Sequence, residues 1–470
     1  MQIIQKLATL VLLYSCTLFS APLSAQTLND ITASPNGHLF SIHGSNTIGA
    51  HLAPAWAMQY LEQRGVSEVK LIERAENETR VEGLFEQTKV YIDIYAHGSS
   101  TGFKAMKQGQ AEVAMASRAI KDSENQLISS TVDLRDQENE HVVAIDGLAI
   151  IVNEKNPVND LTIEQLRDIF SGKIKNWSQV GGANATIVVH ARDDKSGTWD
   201  TFKSLVLDKH YPLSKDATRF ESNDQLASFV SRQRNAIGFV ALASVSAVKA
   251  LNISDGKSLK LSPQHLTIAT EDYPLSRRLY MYTLPDIQNE VAKDFVKYAK
   301  SQSGQKIVEN IGFISQNPLS IAGTVPEEVP QGYANLVEKG HRLSINFRFE
   351  TGSAELDNKA KQDIQRLAEY MKLPENRDKR VQLIGFGDYK QRETLALAFS
   401  KLRALAVKSA LHREGVSVEP VKGFGSYLPV ASNDGENKIR NQRVEVWLFD
   451  QGHTLYQDKN TQESTALTNL

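Results

Sequence analysis

Ile187-Val188-Val189, then Ala191-Arg192-Asp193-Asp194-Lys195-Ser196-Gly197-Thr198, then Trp199 to Leu207, is the stretch on which the reading of this chain turns. A β-branched run, a polar loop closing on Ser-Gly-Thr and an apolar-periodic segment succeed one another, which predicts strand, tight loop and helix. The same alternation recurs on both sides of it. Ala236-Ile237-Gly238-Phe239-Val240 reads as a buried strand, and Leu161, Ile163, Leu166, Ile169 and Phe170 share one helical face. From about Leu39 to Phe313 the pattern predicts an α/β architecture with mainly parallel sheets. Roughly 280 residues suit two lobes better than one core.

Three further segments place small polar or cationic residues beside glycine. They are Gly44-Ser45-Asn46-Thr47-Ile48, His97-Gly98-Ser99-Ser100-Thr101-Gly102-Phe103 and Met115-Ala116-Ser117-Arg118. A strand ending in Gly-Ser/Thr at a helix start presents free backbone N–H groups, to which anions are attracted. Hydroxyls add neutral donors, glycine permits close approach, and arginine adds a planar fork matched to phosphate oxygens. One such segment alone is an ordinary helix cap. Four in one α/β unit, two of them with arginine, point to an oxyanion site.

Composition bounds the rest. The chain has 470 residues, 23% charged and 41% hydrophobic, with a formal net charge of -2. That balance fits folded protein and excludes a broad electrostatic footprint for nucleic acid. Lys6, the apolar run Leu7 to Phe19, and the small residues Ser24 and Ala25 predict an export leader over 1–25, cut after Ala25. Cys16, the only cysteine, falls inside it, so the mature chain would carry neither disulfide nor thiolate metal site. The rival reading makes Leu13-Tyr14-Ser15-Cys16 a lipidation site, against which Tyr14 is bulky. His43, His97 and His190 show no metal-ligand spacing, and no cofactor is expected.

Pro318, Gly323, Pro326, Pro330 and Gly332 punctuate 315–342, which reads as a linker between a unit over 36–314 and a second over 343–450. In the second unit a strand at Ser344 to Phe349, a helix from Lys359 to Met371, a strand at Val381 to Ile384, a helix from Leu395 to Leu411 and a strand at Arg443 to Leu448 predict an α+β sandwich. The polar tail over 451–470 reads as disordered. Asp388, after Gly385-Phe386-Gly387, and Arg403, fifteen residues on, form an opposite-charge pair. Taken alone they read as an internal salt bridge.

The first unit resembles the periplasmic phosphate-binding proteins that serve ABC transporters. The resemblance rests on Asp146-Gly147-Leu148-Ala149-Ile150-Ile151-Val152-Asn153, Ile169-Phe170-Ser171-Gly172, Asn176-Trp177, Val180-Gly181-Gly182, Ile237-Gly238-Phe239, Tyr273-Pro274-Leu275-Ser276-Arg277, and Arg192 before Ser196-Gly197-Thr198. It implies a two-lobed Venus-flytrap fold closing on phosphate. Thr47, Ile48, Ser99, Arg118, Arg192, Ser196, Gly197 and Thr198 would form the site. Some family members have aspartate where this chain has Arg118. Asp194 is then the nearest acceptor for a phosphate proton, or else orients Arg192.

The second unit resembles the OmpA-like peptidoglycan-binding domain through Gly385-Phe386-Gly387-Asp388, Ser400-Lys401-Leu402-Arg403-Ala404 and Asn441-Gln442-Arg443-Val444-Glu445. The resemblance implies that Asp388 holds the ammonium of a diaminopimelate-type stem peptide and Arg403 its carboxylate. Phe386, Gly387, Ala396 and Gln442 depart from the family pattern. Together the resemblances imply a non-enzymatic binding protein of the periplasm, attached to peptidoglycan, with an ABC permease as a further partner and outer-membrane association left open. The alternatives are a phosphatase using the same cleft and an adhesion protein with a repurposed anion site.

Overall fold

The computed structural model describes residues 36–450 apart from 129–131, 195, 208–209, 286, 324–328, 351–352, 354, 390–391 and 435. The expected leader with Cys16, Lys195 and the expected tail lie outside the described residues.

In the first body β1 (His38–Gly44) runs into α1 (Asn46–Gly49) and α2 (Leu52–Gln63). The meander β2 (Ser67–Ala75), β3 (Glu78–Phe85) and β4 (Thr88–Tyr95) follows, then α3 (Ser99–Lys107), β5 (Val113–Ala116) and α4 (Asp122–Ile128). Beyond the long β6 (Glu140–Val152) come β7 (Asp160–Thr162), α5 (Ile163–Phe170), β8 (Val188–Arg192), α6 (Gly197–Phe202), β9 (Thr218–Phe220), α7 (Asn223–Arg232) and β10 (Ala236–Ala241). β11 (Lys249–Ala250), β12 (Asn252–Ser254), α8 (His265–Ala269), β13 (Ser276–Tyr282), α9 (Glu290–Lys300) and α10 (Gln302–Ile311) complete it.

One sheet runs β2-β3-β4-β1-β5-β13-β6-β10-β8-β9, with β11 also against β6. The first half of β6 pairs with β13 and its second half with β10, so β6 passes from one lobe to the other. Trp56, Tyr60 and Phe295 fill the core of the first lobe. In the second lobe Phe202 lies flat on Phe239, centroids 4.0 Å apart. α5 starts where its sequence says it should: Thr162 and Gln165 close a reciprocal capping box.

The sheet is mixed, not mainly parallel. β1 runs parallel to β4 and β5, and β8 to β10 and β9, whereas β2-β3-β4 and both partners of β13 are antiparallel. Tight turns at Asn77 and at Glu86-Gln87, all with positive φ, return the chain directly in the meander.

The second body comprises β14 (Ser320–Ala322), α11 (Gln331–Val337), β15 (His341–Phe347), α12 (Asn358–Lys372), β16 (Lys379–Gly385), α13 (Glu393–Arg413), β17 (Lys422–Gly423) and β18 (Val444–Asp450). Its sheet order is β14-β15-β18-β16-β17. Much of the expected linker over 315–342 is therefore folded. β14 pairs antiparallel with β15, and Tyr333, Leu336 and Val337 of α11 pack against Phe386, Trp447 and Phe449. Those three residues have the spacing of one helical face, which the surrounding prolines and glycines obscured. Among the described residues no helix is long and apolar enough to cross a membrane.

Candidate functional site

Three loops of the first lobe converge at the end of β1. Ser45 N–H donates to Met115 O at 2.9 Å and Gly98 N–H to Gly44 O at 2.7 Å. Gly44 has φ 137°, and a Cβ there would stand 2.1 Å from Met115 O, so only glycine allows the loops to meet. Ser99 Oγ accepts the Ser117 N–H at 3.1 Å. Ile48 is buried and Thr47 half-buried at the start of α1.

The second lobe contributes the end of β8 and the start of α6. Ser196 caps α6 by accepting the Trp199 N–H at 3.3 Å, leaving Gly197 and Thr198 on the first turn. Arg192 Nε donates to Phe220 O at 3.2 Å and Nη2 to Glu221 O at 2.5 Å. Carbonyl partners fix the guanidinium without cancelling its charge. Burial draws its pKa down, and Asp193, Asp224 and Glu221 act the other way. A Cβ on Gly197 would lie 2.1 Å from Thr47 Oγ1 and 2.9 Å from Thr47 Cα. The two lobes thus touch at Thr47 and Gly197.

Arg277 reinforces that contact, and sequence reasoning had not placed it in the site. From the first residues of β13 its Nη2 donates to Thr47 Oγ1 and to Gly197 O, both at 3.0 Å, while Nε reaches Asp146 Oδ2 at 3.2 Å. The Arg277 and Asp146 side chains are only 10% and 6% exposed. Thr201 Oγ1 also donates to Asp146 Oδ2, at 3.4 Å. One guanidinium on a hinge strand therefore touches both lobes. The signal available in the sequence was a lone carboxylate, Asp146, inside the otherwise apolar run of β6.

Two residues of the expected site are engaged elsewhere in this arrangement. The Arg118 guanidinium forks onto Glu124 at 2.8 and 2.7 Å and onto Ser100 Oγ at 3.0 Å, so its charge is neutralised within its own lobe. Burial would raise the Glu124 pKa, but Arg118, Ser100 and the Lys121 N–H hold it at about 2. Asp194, expected either to accept a phosphate proton or to orient Arg192, pairs with Arg219 at 3.0 Å, and its side chain is 82% exposed. Arg219 also lies over the Trp199 ring at 4.3 Å and donates to Arg192 O at 2.6 Å.

In the second body Asp388 follows β16 and Arg403 projects from α13. Gln442 joins them: its Oε1 accepts from Arg403 Nη2 at 2.7 Å and its Nε2 donates to Asp388 Oδ1 at 3.1 Å. The two charges are thus spaced by an amide. Among the described residues Arg403 Nη1 is buried without a hydrogen-bond partner, and a Cβ on Gly387 would stand 3.2 Å from it. The departures Gly387 and Gln442 are the residues that shape this site.

A family model described as a PBP superfamily domain matches residues 73–303, and one described as the OmpA family matches 348–443. The phosphate-binding protein PstS of Bacillus subtilis is 30% identical over 232 residues, 49% of this chain and 73% of that protein. That of Borreliella burgdorferi is 30% identical over 235 residues, 48% of this chain and 80% of the other. A solved ABC-type phosphate transport receptor from Vibrio cholerae is 31% identical, covering 58% of this chain and 99% of that one, with a TM-score of 0.47.

Proposed function

The chain belongs to the PstS family of phosphate-binding proteins and carries an OmpA-family domain behind the two-lobed unit, and on that premise we propose that it is a wall-tethered trap for inorganic phosphate. The observation that supports this reading best is the approach of Thr47 and Gly197 across the cleft, together with an Arg192 whose guanidinium is held by the Phe220 and Glu221 carbonyls. A tetrahedral anion there receives the Arg192 fork, the Ser99, Ser196 and Thr198 hydroxyls and the N–H groups at Thr47, Ile48 and Gly197. Arg118, held by Glu124, contributes little. On this reading the role is capture: Ser196 Oγ caps α6, and His190, on β8, bonds Gln233 at 3.0 Å.

In the second body Asp388 receives the ammonium and Arg403 Nη1 the carboxylate of a diaminopimelate-type stem peptide. The unpartnered Nη1 supports this, because a buried guanidinium N–H gains most when a carboxylate completes it. Export to the periplasm, anchorage on peptidoglycan and delivery to a permease follow from the combination.

Calorimetry of the full chain with phosphate, sulfate and arsenate tests the first half. Arg192→Ala is expected to cost about 2–3 kcal/mol of phosphate affinity, roughly 30- to 150-fold, and Arg118→Ala much less. Absence of phosphate binding by the unmodified chain overturns the reading. Peptidoglycan pull-down tests the second half. Retention of Asp388→Ala and Arg403→Ala on the wall material would discard the stem-peptide site.

A further inference from the structure

The second body sits across the hinge of the first. On the side of the second lobe, Arg440 reaches the turn after α8: its Nη2 donates to Glu271 O at 2.6 Å and Tyr273 O at 2.7 Å, and its Nη1 to Pro274 O at 3.2 Å. On the side of the first lobe, Asn358 Nδ2 donates to Arg135 O at 2.6 Å and to Glu140 Oε1, the first residue of β6, at 3.2 Å. Between these points Asp357 accepts from Arg278 of β13 at 2.8 Å.

The turn that Arg440 grips leads directly to Arg277, the residue bonded to both Thr47 and Gly197. These contacts exist in an arrangement where the lobes touch. Arg440 thus holds the turn that enters β13 from the second lobe and Asn358 the start of β6 in the first, so the two grips span the junction between the lobes.

We propose that the second body is an intramolecular brace: docked across the hinge it favours the closed lobes, so docking and anion capture are coupled. This rests on the phosphate reading above. Thermodynamic linkage makes the coupling reciprocal, so phosphate tightens docking by the factor by which docking tightens phosphate. The wall-anchored body therefore changes its hold on the hinge when the cleft empties.

The experiment uses the full chain with inorganic phosphate. Saturating phosphate is expected to slow amide hydrogen exchange in 270–278 and 432–441 about fivefold or more. Arg440→Met and Asn358→Ala, neither of which touches the anion, are each expected to weaken phosphate binding about five- to twentyfold, with Arg440→Lys recovering part of the loss. Should Arg440→Met fail to fold, Asn358→Ala and the exchange of the unmodified chain decide. Phosphate binding at unmodified affinity in both variants, with exchange indifferent to phosphate, overturns the brace and leaves the anion reading standing. If the unmodified chain binds no phosphate, the anion reading falls and the brace with it.

Discussion

His141, the second residue of β6, shows how one buried ring sets an acid limit. Its Nε2 faces Thr283 Oγ1 at 3.2 Å and its Nδ1 faces Lys300 Nζ at 3.1 Å. The lysine is a donor only, so Nδ1 accepts and Nε2 carries the proton. Burial first, then the Lys300 charge, lower the ring pKa from 6.5 to about 3. The unfolded ring takes up a proton near pH 6.5 and the folded ring does not until about 3, so this contribution is complete above 6.5 and lost as pH falls through that window. The slope is about 1.4 kcal/mol per pH unit. Urea unfolding between pH 6.5 and 4 should therefore show a shallower pH dependence for His141→Gln than for the unmodified chain. Parallel profiles would refute the assignment. Site residues differ in how readily sequence shows them. Arg192 is announced by its own loop, whereas Arg277 acts through Asp146, 131 positions away. The Arg118–Glu124 pair is only six positions apart, so both of its charges lie within one short segment.

At the scale of elements, the close approach of α1 and α6 gives a sharper test than any single hydrogen bond. Gly197 has no positive φ, so alanine suits its backbone. The obstacle is Thr47, whose Cα would be 2.9 Å from the new Cβ. That conflict disappears when the lobes part. Gly197→Ala is thus expected to keep the thermal midpoint of the phosphate-free chain while weakening phosphate binding about tenfold or more, a cost on the order of 1.4 kcal/mol. A variant that binds normally would show that the lobes need not approach this closely. α5 and α12 were legible because their buried faces repeat along the chain, and β10 because its apolar run is continuous. β14, α11 and β17 were not: two are strands of two or three residues, and the helix lies among prolines. Their identity comes from the sheet and core they join, which are assembled from distant segments.

At the scale of the whole molecule, the two bodies are joined by charge as well as by the backbone. Asp272, buried after α8, accepts from Arg342 at 2.9 Å and from Arg348 at 3.1 Å, with Arg443 at 3.7 Å, all three from the second body. Burial would raise its pKa, but these arginines outweigh that and hold it below the usual carboxylate value. Removing one partner from such a cluster leaves buried charge uncompensated, at about 3–5 kcal/mol, although a well-packed apolar replacement of the whole cluster need not destabilise. Asp272→Ala leaves three guanidiniums facing a vacated site, so the loss should fall on the docking of the bodies more than on either core. Each body has its own hydrophobic cluster, which predicts that each survives the change. Differential scanning calorimetry should then resolve two transitions in Asp272→Ala where the unmodified chain unfolds in one. A single transition merely shifted downward would mean that Asp272 supports the fold of one body rather than the joint between them.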